Sequence, residues 1–457
     1  MRVTVRRVVL VAVGIYCLLT FYTAYILLSR NWKGDVDKTS PHGKEKLLVP
    51  DQETINRRSQ QKRGEDEWNP WGEEFEKNRI KTVAPKKKEV SWDWNKDLDF
   101  GKKFNKKKNS TDDEFEIEVW GKAAIGLYLW EFILGGTLEE KMGGIWTYGF
   151  KRIYKLKFKF RTGPGVIPSK APHDTRNLIL VLNGREQSKI EFATIWLDYL
   201  PSFPYLQNVA VFLLGNEQCD NDWIKPYLKR NGGMVDLLFV VYDSKWVDDE
   251  VVFQWPLGVA TYRKFPKRDK DDFPVNSIRP YLCNFVGTVY PNSSRQGLME
   301  VINKLDLQKE CFVKAREEWS PDESPETRQQ YVKALLQSDL TLSPVGQNTE
   351  CYRIYEACEY GSIPVIEDNM TPGSCGNNEK YNNAPLRLLK QHKPPFIFIK
   401  DWSELPTVLE EHRMLSPQDK VVRRRKVLEW CDKFKGKMKD RFLRIINQKF
   451  FPKKKQP

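Results

Sequence analysis

The sequence predicts an α/β protein of two domains, each a parallel sheet flanked by helices, facing one another across a cleft. An N-terminal membrane-spanning helix and a disordered stem precede them. Three observations lead there. Residues 177–242 run strand–helix–strand–helix–strand, the alternation that gives a parallel sheet with helices on both faces. Residues 281–399 repeat that alternation around the stretch SDLTLSPVGQNTECYRIYEACEYGSIPVIED at 338–368. Val8–Ser29 is 22 residues without a charge, long enough to span a bilayer.

Positive charge is densest before that span, at Arg2, Arg6 and Arg7, whereas Arg30 and Lys33 after it are offset by Asp35 and Asp37. The N-terminus is therefore expected in the cytosol and the body in the lumen. The competing assignment, a cleaved signal peptide, calls for a shorter apolar core and a small-residue cleavage site, and Ser29-Arg30-Asn31-Trp32 is a poor one. The expected segments are a tail at 1–7, a signal-anchor at 8–29 and a stem at 30–114. The stem is polar, carries Lys86–Lys88 and Lys106–Lys108, and is interrupted by Trp68, Trp71, Trp92 and Trp94. The formal net charge of +14 would suit nucleic acid, but the membrane segment argues against such a partner.

The first α/β domain is expected over 115–262. Val119–Leu134, dense in apolar residues and broken by Lys122 and Glu131, reads as a buried helix. Tyr154, Leu156, Phe158 and Phe160 alternate with basic residues, the period of a half-exposed strand. Buried strands follow at Asn177–Leu182, Asn208–Leu214 and Val235–Tyr242, with helices to about Leu200 and over Trp223–Arg230 between them. Ligands of such sheets bind at the carboxyl ends of the strands. Arg185, Glu186, Glu217, Asp220, Asp222 and Asp243 fall there. Phe253–Tyr262 reads as a link.

The second domain is expected over 263–450. It opens with strand Tyr281–Val286, Gly287-Thr288 and a helix carrying Arg295; it ends with strand Pro395–Ile399 and helices near 402–409 and 421–442. Within its central stretch, Leu340–Ser343 is a strand, Pro344 and Gly346 make a turn, Glu350–Tyr360 is a helix and Ile363–Ile366 a buried strand. Asn348 or Thr349 is expected to cap the helix, and Gly361 to stop it. A helix start of this kind accepts phosphate, because its unpaired N–H groups and its dipole favour negative charge. Glu350, Arg353 and Glu356 are spaced at three, roughly on one face. An arginine there suits a diphosphate and a carboxylate one turn on suits ribose hydroxyls. The bland alternative is an ordinary βαβ unit with a solvated Glu-Arg-Glu ladder.

Seven cysteines lie outside the span, an odd number, so at least one is free or bridges to a partner. Cys351 and Cys358 are seven apart, roughly 10 Å along a helix, too far to pair. No CxxC exists and the four histidines are scattered, so zinc is not expected. Sequons stand at Asn109, Asn292 and Asn369, the last weakened by Pro372 after its threonine.

Two α/β domains with a nucleotide-type site in the second is the GT-B layout of glycosyltransferases, two Rossmann-like domains. RPYLCNFVGTVYPNSSRQ (279–296) followed by SPVGQNTECYRIYEACEYGSIPVIED (343–368) resembles the exostosin-type glycosyltransferase pattern. The resemblance implies a nucleotide-sugar diphosphate near Gly287, Thr288, Arg295 and Gly346, with Arg353 and Glu356 on phosphate and ribose; Glu350 rests on spacing alone. EWNPW (67–71), WGKAAIGLYLWE (120–131), YLKRNGG (227–233), FQWPLGVATYR (253–263) and NTECYRIYEAC (348–358) are similar to the ribitol-5-phosphate xylosyltransferase family. That likeness runs over about 65–445 and includes the anchor. It implies a single-pass type II Golgi membrane enzyme with a lumenal body. Its reaction would be β1,4 transfer of xylose from UDP-xylose to ribitol 5-phosphate on the O-mannosyl glycan of alpha-dystroglycan, in association with fukutin and fukutin-related protein.

A β-xyloside from an α-linked donor requires one inverting displacement, with a base for the acceptor proton and cations for the leaving diphosphate. Arg295 and Arg353 are the donor-side cations. Asp220, Asp243 and Glu217 are the candidate bases by position, each also an ordinary cap or salt-bridge residue. Asp220-Asn221-Asp222 spells the metal-binding D-x-D, but so do Asp97–Asp99 and Asp269–Asp271. No obligatory metal or other cofactor is expected. Two alternatives stay open: a non-catalytic scaffold for other transferases, and an exostosin-like transferase of a different UDP-sugar. Excess Lys and Arg fit a phosphate-bearing acceptor, though part of that excess belongs to the stem and tail.

Overall fold

The computed structural model describes residues 114–318, 324–376 and 384–452. The expected span, nearly all of the stem with its tryptophans, Asn109 and the tail Lys453–Lys455 lie outside the described residues.

The first half is an eight-stranded sheet of β1 (Phe115–Gly121), β2 (Glu139–Lys141), β3 (Trp146–Ile153), β4 (Leu156–Thr162), β5 (Asn177–Asn183), β6 (Asn208–Leu214), β7 (Leu237–Val241) and β8 (Val252–Trp255). Their order is β2-β3-β4-β1-β5-β6-β7-β8. Pairing from β4 through β8 is parallel, and β2 and β3 add an antiparallel edge. β6 and β7 are almost wholly buried apolar runs, as strands covered on both faces must be. β4 alternates buried and half-buried residues along its length.

Three expectations change here. Val119–Gly121 complete β1 instead of opening a helix, because Phe115, Ile117 and Val119 alternate with Glu116 and Glu118 at the strand period. Helix α1 (Ala124–Leu127) follows and runs into a π-helical turn at Tyr128–Ile133. After α2 (Gln187–Tyr199), the expected helix at Trp223–Arg230 is instead two 3-10 segments, Asp222–Tyr227 and Lys229–Asn231. Pro226 sits inside the first and has no N–H to extend it into an α-helix. Phe253–Trp255 belong to β8, so the link proper begins at Pro256.

The second half is a five-stranded, all-parallel sheet of β9 (Tyr281–Thr288), β10 (Cys311–Arg316), β11 (Ser338–Ser343), β12 (Ile363–Glu367) and β13 (Ile397–Ile399), ordered β10-β9-β11-β12-β13. Its helices are α3 (Ser294–Lys304), α4 (Pro325–Gln337), α5 (Tyr352–Glu359), α6 (Arg387–Gln391), α7 (Leu405–Arg413) and α8 (Pro417–Phe450). Gly361, at φ 64°, takes the left-handed conformation that ends α5.

Helix α8 is 34 residues long and serves both halves. Near its start Arg424 pairs with Asp339 at 3.2 Å, at the head of β11. Near its end Phe442, fully buried, is ringed by Phe158, Phe212, Phe239 and Trp255 at 5.6–6.2 Å. Truncating a ring so placed typically costs about 3–5 kcal/mol, so the tail of α8 is part of the first core. The disulfide Cys219–Cys375 joins the loop after β6 to the loop after β12, and Cys283–Cys311 joins β9 to β10. Cys351, Cys358 and Cys431 are free.

Candidate active site

The carboxyl ends of β9 and β11 carry two arginines from two different helices. Arg295 stands in the first turn of α3, and its Nη1 donates to the Thr288 carbonyl at 2.9 Å. Arg353 stands in the first turn of α5; its Nη2 donates to the Val286 carbonyl at 3.0 Å and its guanidinium lies 5.1 Å from the Phe285 ring centre. Space for both comes from glycine. A Cβ on Gly287 would stand 2.7 Å from Arg353 Nη2, and one on Gly346 2.9 Å from Arg295 Nη2. Among the described residues neither guanidinium is salt-bridged to a carboxylate, and the buried Nε of Arg295 has no hydrogen-bond partner. Burial lowers the pKa of Arg295, and the neighbouring charge of Arg353 lowers it further. Two cations held together this way favour an anion between them.

The carboxylates beside them face elsewhere. Cys351, not Asn348 or Thr349, is the N-cap of α5, and no side chain caps it. Asn348 Oδ1 instead accepts from the Glu350 N–H at 2.9 Å, and Thr349 Oγ1 donates to the Asn369 carbonyl. Glu350 accepts from the Leu257 N–H at 2.9 Å and from the Tyr355 hydroxyl. Glu356 accepts from the Ala260 N–H at 3.0 Å and the Tyr331 hydroxyl at 2.7 Å. Both are buried, so the solvated ladder is not what forms. They tie the link after β8 onto α5, the helix that presents Arg353.

Burial raises the Glu350 pKa to about 7, against hydrogen bonds that lower it. The folded state then binds a proton there more tightly than the unfolded chain. The contribution is full below the ordinary carboxylate range and is lost as pH rises through about 7. Unfolding midpoints are expected to fall between pH 5 and pH 8 in the wild type and to change less in Glu350→Gln, which keeps the accepting oxygen. Parallel slopes in a denaturant series over that range would refute the assignment.

The three candidate bases separate. Glu217 is half-exposed; its Oε1 lies 3.7 Å from Arg185 Nη2 and 3.5 Å from the Tyr242 hydroxyl, and its charge acts on Arg295 across the junction. Its carbonyl accepts from Asn348 Nδ2 at 2.7 Å, so the loop after β6 touches the turn before α5. Asp220 is exposed beside the disulfide. Asp243 is buried against Arg387, Oδ1 to Nε at 2.9 Å, and Oδ2 accepts the Arg387 N–H at 3.1 Å. Burial raises its pKa, opposed by Arg387. Asn292 is exposed, whereas the amide of Asn369 donates to the Lys400 carbonyl at 2.6 Å. Arg387 and Tyr242 had no signal in the sequence. Arg387 lies 144 residues from Asp243, and Tyr242 reads as the last residue of a strand but takes φ 72°.

Two α/β domains, with a pair of arginines at the strand ends of the second and the loop after β6 of the first against the turn before α5, have the layout of a two-domain glycosyltransferase. Residues 117–256 match the RXYLT1 N-terminal domain and residues 262–451 the RXYLT1 C-terminal domain. Ribitol-5-phosphate xylosyltransferase 1 of Homo sapiens is 47% identical over 455 residues, covering 98% of this chain and 99% of that protein. The Danio rerio protein of the same name is 46% identical over 456 residues, covering 99% of each. The chain belongs to the ribitol-5-phosphate xylosyltransferase 1 family. Among solved structures, the catalytic domain of starch synthase IV from Arabidopsis thaliana, bound to ADP and acarbose, superposes at a TM-score of 0.37. It is 9% identical and covers 73% of this chain and 99% of that one, and the likeness adds no weight to the sequence match.

Proposed function

We propose that this chain is a xylosyltransferase that moves xylose from UDP-xylose to ribitol 5-phosphate. The observation that carries the proposal is its likeness, over nearly the whole chain, to proteins named for that activity. The paired arginines supply the matching chemistry. In the proposed step an acceptor hydroxyl attacks the anomeric carbon from the face opposite the diphosphate. The bond from that carbon to the UDP oxygen breaks, UDP leaves against Arg295 and Arg353, and the acceptor proton passes to Glu217. The configuration inverts, giving a β1,4 linkage. Arginines do the work of a divalent ion, so no metal is obligatory; activity that vanishes in EDTA would refute this.

The biological setting belongs to the same proposal: a type II Golgi membrane protein acting on the O-mannosyl glycan of alpha-dystroglycan, with fukutin and fukutin-related protein as partners. Its body stands in the lumen. UDP release by the purified lumenal body, measured over a panel of UDP-sugars with and without ribitol 5-phosphate, tests the function. Release from UDP-xylose that depends on the acceptor supports it, while no release from any donor favours a scaffold. Glu217→Gln is expected to lower kcat by about 10²–10⁴-fold with the donor KM unchanged. An unaltered kcat would return the role of base to Asp220 or Asp243.

A further inference from the structure

We infer that Arg185 holds the phosphate of the acceptor, an inference that rests on the phosphorylated acceptor proposed above. Arg185 follows β5 directly, at the carboxyl edge of the first sheet, with its side chain 12% exposed. Its guanidinium carbon lies 5.8 Å from the ring centre of Tyr242, in its own half, and 5.8 Å from that of Tyr352, in the other. The Tyr242 hydroxyl takes a hydrogen bond from Nη2 at 2.5 Å. A planar cation braced by two rings and a hydroxyl loses little freedom when it binds a phosphate through two parallel N–H groups.

Position distinguishes this group from the donor arginines. Tyr352 is the residue before Arg353, so the ring beside Arg185 comes from the helix that presents the donor-side cation. Glu217 lies within 3.7 Å of Arg185 and also acts on Arg295. The carboxylate proposed as the base is thus close to Arg185 and near enough to Arg295 for its charge to be felt, which suits an acceptor whose hydroxyl meets Glu217 and whose phosphate meets Arg185.

Ribitol 5-phosphate and unphosphorylated ribitol, each with UDP-xylose, test the assignment in wild type, Arg185→Ala and Arg185→Lys. The wild type is expected to prefer the phosphorylated acceptor. Arg185→Ala is expected to raise the KM for ribitol 5-phosphate by about 100-fold, to leave the KM for UDP-xylose within about twofold, and to abolish the preference. Arg185→Lys, which keeps the charge but not the fork, is expected to fall between. If Arg185→Ala does not fold, Arg185→Lys carries the test, and an acceptor KM equal to that of the wild type overturns the proposal. An equal loss with both acceptors also overturns it, because the effect would then be structural. Wild-type transfer to both acceptors alike removes the phosphate assignment alone; transfer to neither refutes the function and the assignment with it.

Discussion

Arg353→Ala is expected to lower kcat/KM for sugar transfer by about 10²–10³-fold while leaving the melting temperature nearly unchanged. The magnitude is that of removing one preorganised donor to developing negative charge. The fold tolerates the change because the guanidinium, half-buried, spends its hydrogen bond on a single carbonyl, that of Val286, and packs over Phe285 without filling a core layer. Arg353→Lys is expected to recover little, since an ammonium on a flexible stem reproduces neither the stacking nor the fork. Arg295→Ala is expected to cost a comparable factor, and the two losses to be less than additive in the double variant, because both cations serve one diphosphate. Steady-state kinetics of the two single variants and the double settle the matter. Wild-type kcat/KM in Arg353→Ala would mean that the diphosphate lies elsewhere.

Asp243→Ala is expected to be a stability variant, costing about 3–5 kcal/mol, the range for removing one partner of a buried ion pair. The loss follows from the position of Arg387, which is 1% exposed and would lose the carboxylate 2.9 Å from its Nε. Replacing both residues by leucine is expected to recover part of the loss, as a buried pair exchanged for apolar groups often does. Denaturant unfolding of the two single variants and the double measures the coupling. Activity separates the alternative role: if Asp243 were the base, the folded fraction of Asp243→Asn would transfer nothing, whereas a structural Asp243 leaves that fraction active.

Legibility in the sequence followed the strength of local pattern. β6 and β7 were readable because strands covered on both faces leave uninterrupted apolar runs, and the stop at Gly361 because a left-handed residue favours glycine. β8 was not, since four residues ending just before Pro256 look like a connection until a neighbour pairs with them. β10 was missed for a related reason: at the edge of its sheet only Cys311 is fully buried, so its pattern is weak. The site divides the same way. Arg353 was legible as a cation beside a helix start, and Arg295 through the exostosin-type pattern. Their convergence was not, because it depends on β9 and β11 pairing across 57 residues, as Asn284 does with Thr341. Glu350 and Glu356 show the limit of helical spacing, which assigns a face but not its occupant. Here that occupant is the backbone of residues 257–260.

The bridge between Cys219 and Cys375 has a mechanical consequence. It joins the loops after β6 and β12 on the side where Asn348 reaches Glu217. The strap after β8 is pinned to α5 by two carboxylates, and α8 lies across both bodies. Three restraints placed apart are expected to limit how far one body can swing against the other. With the bridge intact, opening of one body against the other is therefore expected to be small, and reduction of the bridge is expected to enlarge it.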